Sequence, residues 1–282
     1  MSDPNAPHPD PPPQAGEGNT GVSTEELITE RRGPVQWITF NRPQARNALT
    51  WTMYSKLVEL CEEVNRDREV KAVVLTGAGG KAFVAGTDIS QFRSFATEKD
   101  ALDYEAGGNR MMSTLESVRV PVIAAIAGAC TGAGAAIAAA CDFRIGSPSA
   151  RYGFPIARTL GNCLSMANYA RVVALLGFPR TADIIMRARL MDAPELLAAG
   201  ALNAVTPDEE SLPRRAQELA EEVASYAPLT LWATKQALHR MRDRLVSETT
   251  DSDLILACYM SQDFKEGVEA FLTKRKPNWK GE

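Results

Sequence analysis

The sequence predicts an α/β core followed by a helical C-terminal region. Short apolar runs rich in β-branched residues alternate with helical segments in the first half of the chain, turns of very small residues follow two of these runs, and the pattern is almost wholly helical from Met166 onward. We therefore predict a proline-rich tail over residues 1–22, a core over 23–205 and a C-terminal helical region over 206–282. The composition of the tail cannot support a core, so we expect it to be disordered and dispensable.

Hydrophobic spacing locates the elements. Thr50 is a good N-cap, and apolar residues recur at helical spacing after it. Strands are predicted at 35–40, 72–76, 122–126 and 142–145, of which 72–76 and 122–126 are buried. Helices are predicted after Thr50 and at 98–118, 135–140, 166–176, 180–188, 193–199, 211–226, 229–246 and 252–272.

Composition excludes several classes of protein. The 282 residues are 45% hydrophobic and carry a net charge of −4, which is not the basic footprint of a nucleic-acid-binding protein. The five cysteines are odd in number and lack CxxC spacing, which argues against disulfides or a zinc site and favours a cytoplasmic location. With only His8 and His239 as histidines, we expect neither a histidine triad nor a metal centre.

Residues 120–141 contain no charge and are long enough to span a membrane. They consist largely of Ala and Gly, and Pro121 interrupts their start. A buried strand followed by a buried helix explains this composition better, so no membrane partner is expected. No apolar segment typical of a signal peptide occurs at the N-terminus.

Neither glycine-rich turn fits a nucleotide-binding motif. In residues 77–82 (GAGGKA), Leu75 stands where a phosphate loop needs its first Gly, and Ala82 replaces the Ser or Thr. The spacing of Gly128, Gly132 and Gly134 does not match G-x-G-x-x-G.

Both turns nevertheless follow a buried strand, and the second opens a helix. The N-terminus of a helix has free N–H donors and the positive end of the dipole. Two such donors converging on one point form an oxyanion hole, which small side chains allow a ligand to approach. Tight packing of helix on sheet is the alternative explanation for the small residues.

Four segments resemble the crotonases, the enoyl-CoA hydratase and isomerase superfamily, in the order and spacing of that family over about residues 24–280. The resemblance implies a spiral of ββα units, an acyl-coenzyme A substrate, a homo-oligomer (trimer or hexamer) and no cofactor beyond coenzyme A. The segments are 41–49 (NRPQARNAL), 82–89 (AFVAGTDI), 121–144 (with PVIAAIAG, GAG and CDFR) and 266–277 (EGVEAFLTKRKP).

The resemblance also implies roles for residues. The backbone N–H groups of Thr87 and Ala133 would form the oxyanion hole; Ala133 stands where the family usually has Gly, which is tolerable if its φ is negative. The substrate channel would be lined by Ala45, Arg46, Ala48, Ala85, Asp88, Ile89, Gly132, Ala136, Pro155, Ile156 and Arg158. Coenzyme A contacts are implied for Phe271, Lys274 and Lys276, with a neighbouring subunit as one source.

The sequence departs from the family at the two glutamates that hydratases use as general acid and base. Their positions hold Ala136 and Ile156, or Ala157 if the alignment shifts by one place. Alanine and isoleucine transfer no proton, so the usual hydration mechanism cannot simply be carried over. Other polar candidates are Asp88, Tyr104, Glu105, Arg158, Asn162, Cys163, Ser165 and Asn168.

The resulting hypothesis is an enzyme that acts on acyl-CoA and stabilises a thioester oxyanion, with hydration or isomerisation as the family default. Two alternatives stay open: a decarboxylase or thioester hydrolase, and an acyl-CoA-binding protein without catalysis. The acyl group cannot be deduced from the sequence.

Overall fold

A computed structural model describes residues 25–244, 246 and 251–282. The predicted tail, 1–22, lies outside the described residues. Most of the predicted strands and helices are confirmed within a few residues, and Thr50 caps its helix by accepting a hydrogen bond from the N–H of Met53.

The described residues contain ten strands and ten helices, besides two short 3₁₀ turns. The strands are β1 (Leu27–Arg32), β2 (Val35–Phe40), β3 (Ala72–Gly77), β4 (Ala82–Ala85), β5 (Val122–Ile126), β6 (Ala129–Thr131), β7 (Phe143–Gly146), β8 (Arg151–Gly153), β9 (Met191–Asp192) and β10 (Ala204–Val205). The helices are α1 (Trp51–Arg66), α2 (Glu98–Glu116), α3 (Ala133–Ala140), α4 (Ile156–Thr159), α5 (Met166–Met186), α6 (Ala193–Ala198), α7 (Ser211–Ala224), α8 (Pro228–Asp243), α9 (Ser252–Tyr259) and α10 (Gln262–Leu272).

The chain winds as a spiral of ββα units. Each turn places one strand in a six-stranded sheet of order β1-β2-β3-β5-β7-β10 and the next in a four-stranded sheet of order β4-β6-β8-β9. Thus β3-β4-α2, β5-β6-α3 and β7-β8-α4 are three successive units. Strands of neighbouring units pair in parallel in both sheets. This is the spiral that the crotonase resemblance implies.

The four-stranded sheet was not predicted as a separate layer, yet it positions the site. Its register pairs Ala85 with Thr131 and Thr131 with Gly153, the last residues of three parallel strands. Because the carboxyl ends of parallel strands meet at one edge of a sheet, segments about 45 and 20 residues apart in sequence leave it side by side.

Apolar clusters cover both faces of the six-stranded sheet. One cluster fills the space between the sheets, α1, α2 and α3, with Phe40, Leu57 and Phe83 fully buried. On the opposite face, α7 buries Leu212, Ala216, Ala220 and Val223. None of the described helices is long and apolar enough to cross a membrane, and the segment 120–141 forms buried strands and a helix.

The predicted helix 252–272 is wrong in one respect, because it is two helices. Ser261 has extended backbone and its hydroxyl accepts from the N–H of Phe264 at 2.9 Å, so it caps α10 and ends the run from α9. The predicted break at Gly177 is confirmed as a kink inside α5, where φ is 74°. Helix α9 packs against α2, and α10 packs against α9 and the 3₁₀ turn at 89–94. The rings of Tyr259 and Phe264 contact each other with centroids 4.8 Å apart and planes tilted by 57°.

Candidate active site

Two glycines bring together the loop that follows β4 and the loop that follows β6. Gly86 follows β4 with φ of 88°, and Gly132 follows β6 with φ of 54°, a region that favours glycine. A Cβ on Gly132 would lie 3.4 Å from the Cα of Gly86. The backbone of the next residue in each loop, Thr87 and Ala133, is therefore brought to the same place.

The N–H of Thr87 points away from the segment before α1. The N–H of Leu49 donates to the carbonyl of Gly86 at 2.9 Å, and the N–H of Asp88 donates to the carbonyl of Leu49 at 2.8 Å. These two bonds form a parallel bridge between Leu49 and Thr87, in which the N–H of Thr87 itself is directed away from Leu49.

Ala133 is the first residue of α3, so its N–H has no acceptor within the helix. Its φ is not among the positive values, which satisfies the condition for alanine at this position. Within the described residues, neither this N–H nor that of Thr87 donates a backbone hydrogen bond outside a helix or strand.

Both loops open into one cavity with a volume of about 150 Å³. Apolar residues form most of the lining, together with Tyr54, Tyr104, Glu105, Asn162, Cys163 and Asn168. Nine residues expected from the resemblance line this cavity: Ala85, Thr87, Ile89, Gly132, Ala133, Ala136, Pro155, Ile156 and Phe271.

Two tyrosines hold the side chain of Thr87. Its hydroxyl shares hydrogen bonds with the hydroxyls of Tyr54 at 2.8 Å and Tyr104 at 3.1 Å. Burial raises the pKa of Tyr54 to about 12 and that of Tyr104 well above its ordinary value. These hydroxyls therefore stay protonated near neutral pH, and they fix the loop that carries the Thr87 N–H.

The wall beside the two loops is aliphatic. Ala136 and Ile156 are 4% and 7% exposed and both line the cavity. Neither side chain has a titratable atom, so the cavity has no acid or base at these two positions.

A carboxyl group enters the cavity from α2 instead. Glu105 is 8% exposed, and its carboxylate accepts a hydrogen bond from the Tyr259 hydroxyl at 2.6 Å. Burial raises the pKa of Glu105 to about 7, because removal from water disfavours the charged form. Within the described ranges, no group of three or more His, Cys, Asp or Glu residues could hold a metal ion.

Comparison with known proteins identifies the family. The model of the family described as enoyl-CoA hydratase/isomerase matches residues 30–282. The chain belongs to the enoyl-CoA hydratase/isomerase family, the crotonases. The short-chain-enoyl-CoA hydratase of Clostridium acetobutylicum is 36% identical over 90% of this chain and 97% of its own length. The crotonyl-CoA hydratase of Syntrophomonas wolfei is 32% identical over 92% and 99%.

A solved crotonase structure is also similar. The enoyl-CoA hydratase/carnithine racemase from Magnetospirillum magneticum superposes with a TM-score of 0.74 at 30% identity, over 92% of this chain and 97% of that one. This likeness agrees with the spiral described above.

Several residues expected from the crotonase resemblance lie outside the cavity lining. Asp88 caps a 3₁₀ turn, accepting from Ser90, and pairs with Arg42 at 2.9 Å. Burial opposes its ionisation, but these bonds outweigh it and lower the pKa of Asp88. The remainder are the part-buried Ala45 and Ala48 and the exposed Arg46, Arg158, Lys274 and Lys276.

Glu105 was one of several polar candidates in the sequence, whereas neither Tyr54 nor Tyr259 was expected at the site. A signal for Glu105 is present in the sequence. Ala101, Glu105, Met112 and Leu115 are spaced as one face of a helix, and all four are buried. A carboxyl at a core position of an amphipathic helix is a candidate functional group.

Proposed function

We propose that this crotonase binds an acyl-CoA thioester in the 150 Å³ cavity and stabilises negative charge on the thioester oxygen with the N–H groups of Thr87 and Ala133. The reaction would take place at the α or β carbon, next to the carbonyl. The observation that carries this proposal is the convergence of the two loops at Gly86 and Gly132.

Elementary electrostatics favours this role. The positive end of the α3 dipole adds to the N–H of Ala133. The cavity is largely apolar, and fixed donors stabilise developing charge more strongly there than in water. Charge on the oxygen is stabilised by N–H donors, so the proposed chemistry requires no cofactor beyond the coenzyme A of the substrate.

The volume of the cavity supports a short acyl group, with coenzyme A outside it. Phe271 lines the cavity while 52% exposed, which places it at the rim. Arg46, Lys274 and Lys276 are exposed cations and are our candidates for the coenzyme A phosphates.

A silent acyl-CoA-binding protein is the second candidate, favoured by the aliphatic side chains of Ala136 and Ile156. Such a protein would bind acyl-CoA and leave it unchanged. The named relatives are hydratases, which favours an enzyme. We also propose a cytoplasmic homo-oligomer, supported by the cysteine pattern and by exposed apolar side chains on α8.

The Ala133→Pro variant tests the proposal. Proline is tolerated at the first position of a helix but has no N–H, so turnover of acyl-CoA substrates should fall by about 10²–10³-fold. Glu98→Pro is the matched control, because Glu98 is the first residue of α2 and is exposed. Unchanged turnover in folded Ala133→Pro would contradict the oxyanion hole. Absence of acyl-CoA binding to the wild type in calorimetry would contradict the function itself.

A further inference from the structure

Glu105 is the one carboxyl group among the described residues that line the cavity. It extends from α2, and the hydroxyl of Tyr259 in α9 donates a hydrogen bond to it at 2.6 Å. Thr87 and Ala133 line the same small cavity. A short acyl group held by the oxyanion hole would therefore share its space with this carboxyl.

A chain of hydrogen bonds orients the carboxyl. The side-chain amide of Asn162 donates to the hydroxyl of Tyr259 at 3.1 Å, and that hydroxyl donates to Glu105 at 2.6 Å. The side-chain oxygen of Asn162 is buried without a partner among the described residues, although Asn162 lines the cavity. Buried polar atoms usually have a partner, which is consistent with a ligand group occupying this side.

The surroundings keep the carboxyl able to hold or release a proton near neutral pH. Burial raises the pKa of Glu105 to about 7, and the Tyr259 hydrogen bond opposes this. A group titrating near the working pH serves as both base and acid. The titratable groups that face Glu105 are Tyr54 from α1, Tyr104 from α2, Cys163 from the loop before α5, Tyr169 from α5, Asp251 just before α9 and Tyr259 from α9.

We propose that Glu105 is the acid–base residue of this cavity and transfers a proton to and from the α carbon of the bound acyl-CoA thioester. This inference rests on the proposed function. The carboxylate takes the α proton, and the C–H electron pair becomes an enolate whose oxygen lies against Thr87 and Ala133. The protonated Glu105 then returns the proton to the α carbon or, in a 3-enoyl thioester, to the γ carbon. Atoms and electrons balance without a further reactant.

A carboxyl on α2 also explains how a crotonase works without carboxylates at positions 136 and 156. One carboxyl on one wall can move a proton between two carbons of the same acyl group. Adding water requires activating the water and protonating the α carbon in the same cavity, for which a single carboxyl is less suited. We therefore expect 3-enoyl thioesters to be better substrates than 2-enoyl thioesters. Tyr259 and Asn162 are positioning residues in this account.

The test follows 3-butenoyl-CoA in D₂O, with mass spectrometry for deuterium at the α carbon and absorbance for migration of the double bond. Glu105→Gln keeps the shape but cannot take the proton, so both rates should fall by about 10²–10⁴-fold while calorimetric binding persists. Glu98→Gln, the same change on an exposed residue of α2, should retain the wild-type rates. Wild-type rates in Glu105→Gln would overturn the proposal, as would no exchange by wild-type protein that binds the thioester.

Tyr259→Phe gives a second readout that does not require Glu105→Gln to fold. Removing the hydroxyl that donates to Glu105 should raise the pKa of that carboxyl, so the rise of kcat/KM with pH should move to higher pH. An unmoved pH profile would count against Glu105 as the base. Absence of acyl-CoA binding by the wild type would instead contradict the proposed function. Failure of the Glu105 proposal can therefore be distinguished from failure of the proposed function.

Discussion

At the scale of single residues, the contacts of a polar side chain depend on its immediate neighbours in the fold. The crotonase resemblance implied roles for Thr87 and Ala133, and both residues line the cavity. Asp88 and Arg158 were expected at the substrate, but neither lines the cavity. Asp88 forms an ion pair with Arg42 and accepts a hydrogen bond from Ser90, and Arg158 is exposed. A polar residue in a loop looks the same in sequence whether it faces a cavity or caps a turn.

The aliphatic residues Ala136 and Ile156 predict poor hydration of crotonyl-CoA. Water must lose a proton and the α carbon must gain one, and neither residue supplies a group for either step. We expect the wild type to hydrate crotonyl-CoA far below the rates of efficient hydratases. A spectrophotometric assay giving on the order of 10² s⁻¹ or more would show that the acid and base are misplaced here.

Glu105 predicts a cost to stability that depends on pH. Its pKa is raised by burial from 4.5 to about 7, so the native state holds the proton more tightly than the unfolded state. Wild-type stability should therefore decrease as pH rises from about 4.5 to 7. Glu105→Gln should unfold like the wild type near pH 4.5 and be more stable at pH 8, by roughly 3 kcal/mol from this shift. Equal urea midpoints for the wild type and Glu105→Gln at pH 8 would contradict the idea that burying the charged carboxylate destabilises the native state.

At the scale of elements, most long periodic segments were predicted, whereas the six-residue strand β1 and several very short strands were missed. Strands such as β6 and β8 have three residues each, too few for a periodic pattern to be detected. They exist because the spiral brings them to β4, and this contact is invisible in the local sequence. The division between α9 and α10 was missed because apolar spacing continues through Ser261, whose capping hydrogen bond ends the run.

Glu116 joins three of these helices. Its buried carboxylate, at the end of α2, accepts two bonds from Arg171 of α5 at 2.8 and 2.9 Å and pairs with Arg242 of α8. Burial would raise the pKa of Glu116, but the two arginines outweigh it and lower the pKa below 4.5. The carboxylate thus stabilises the fold above pH 4.5, and this contribution is lost as the pH falls through the native pKa.

Glu116→Gln should leave the buried guanidinium of Arg171 without a counter-charge, while Arg242 keeps Asp243, and it should lower the free energy of unfolding by about 3–5 kcal/mol at pH 7. Urea unfolding measures this. The control is Glu218→Gln in the exposed pair with Arg214, which should cost less than about 1 kcal/mol. Equal losses for the two variants would contradict a structural role for the buried pair.

At the scale of the whole molecule, the fold class could be predicted from the sequence, but the apolar side chains that stay exposed on the surface could not. The helix α8 exposes Leu229, Leu238 and Met241, which are 77%, 59% and 69% exposed. Leu238 and Met241 border a groove of about 680 Å³ with Leu175. Exposed apolar patches are common at interfaces, and we propose that another copy of the chain covers this one.

The double variant Leu238→Asp with Met241→Asp should therefore lower the mass of the particle in sedimentation velocity, since burying two carboxylates in an interface is unfavourable. Leu197→Asp, on the exposed surface of α6, should leave the mass unchanged. A wild type that sediments as a monomer would contradict the proposed oligomer.

The oxyanion hole is tested most directly by the carbonyl stretching frequency of bound acyl-CoA. Isotope-edited infrared spectra of crotonyl-CoA labelled with ¹³C at the thioester carbonyl would be compared free, bound to wild type and bound to Ala133→Pro. Two N–H donors polarise the C=O bond, so the frequency should fall on binding to the wild type and return toward the free value in Ala133→Pro. A frequency unchanged on saturation of the wild type would contradict the placement of the thioester oxygen between Thr87 and Ala133.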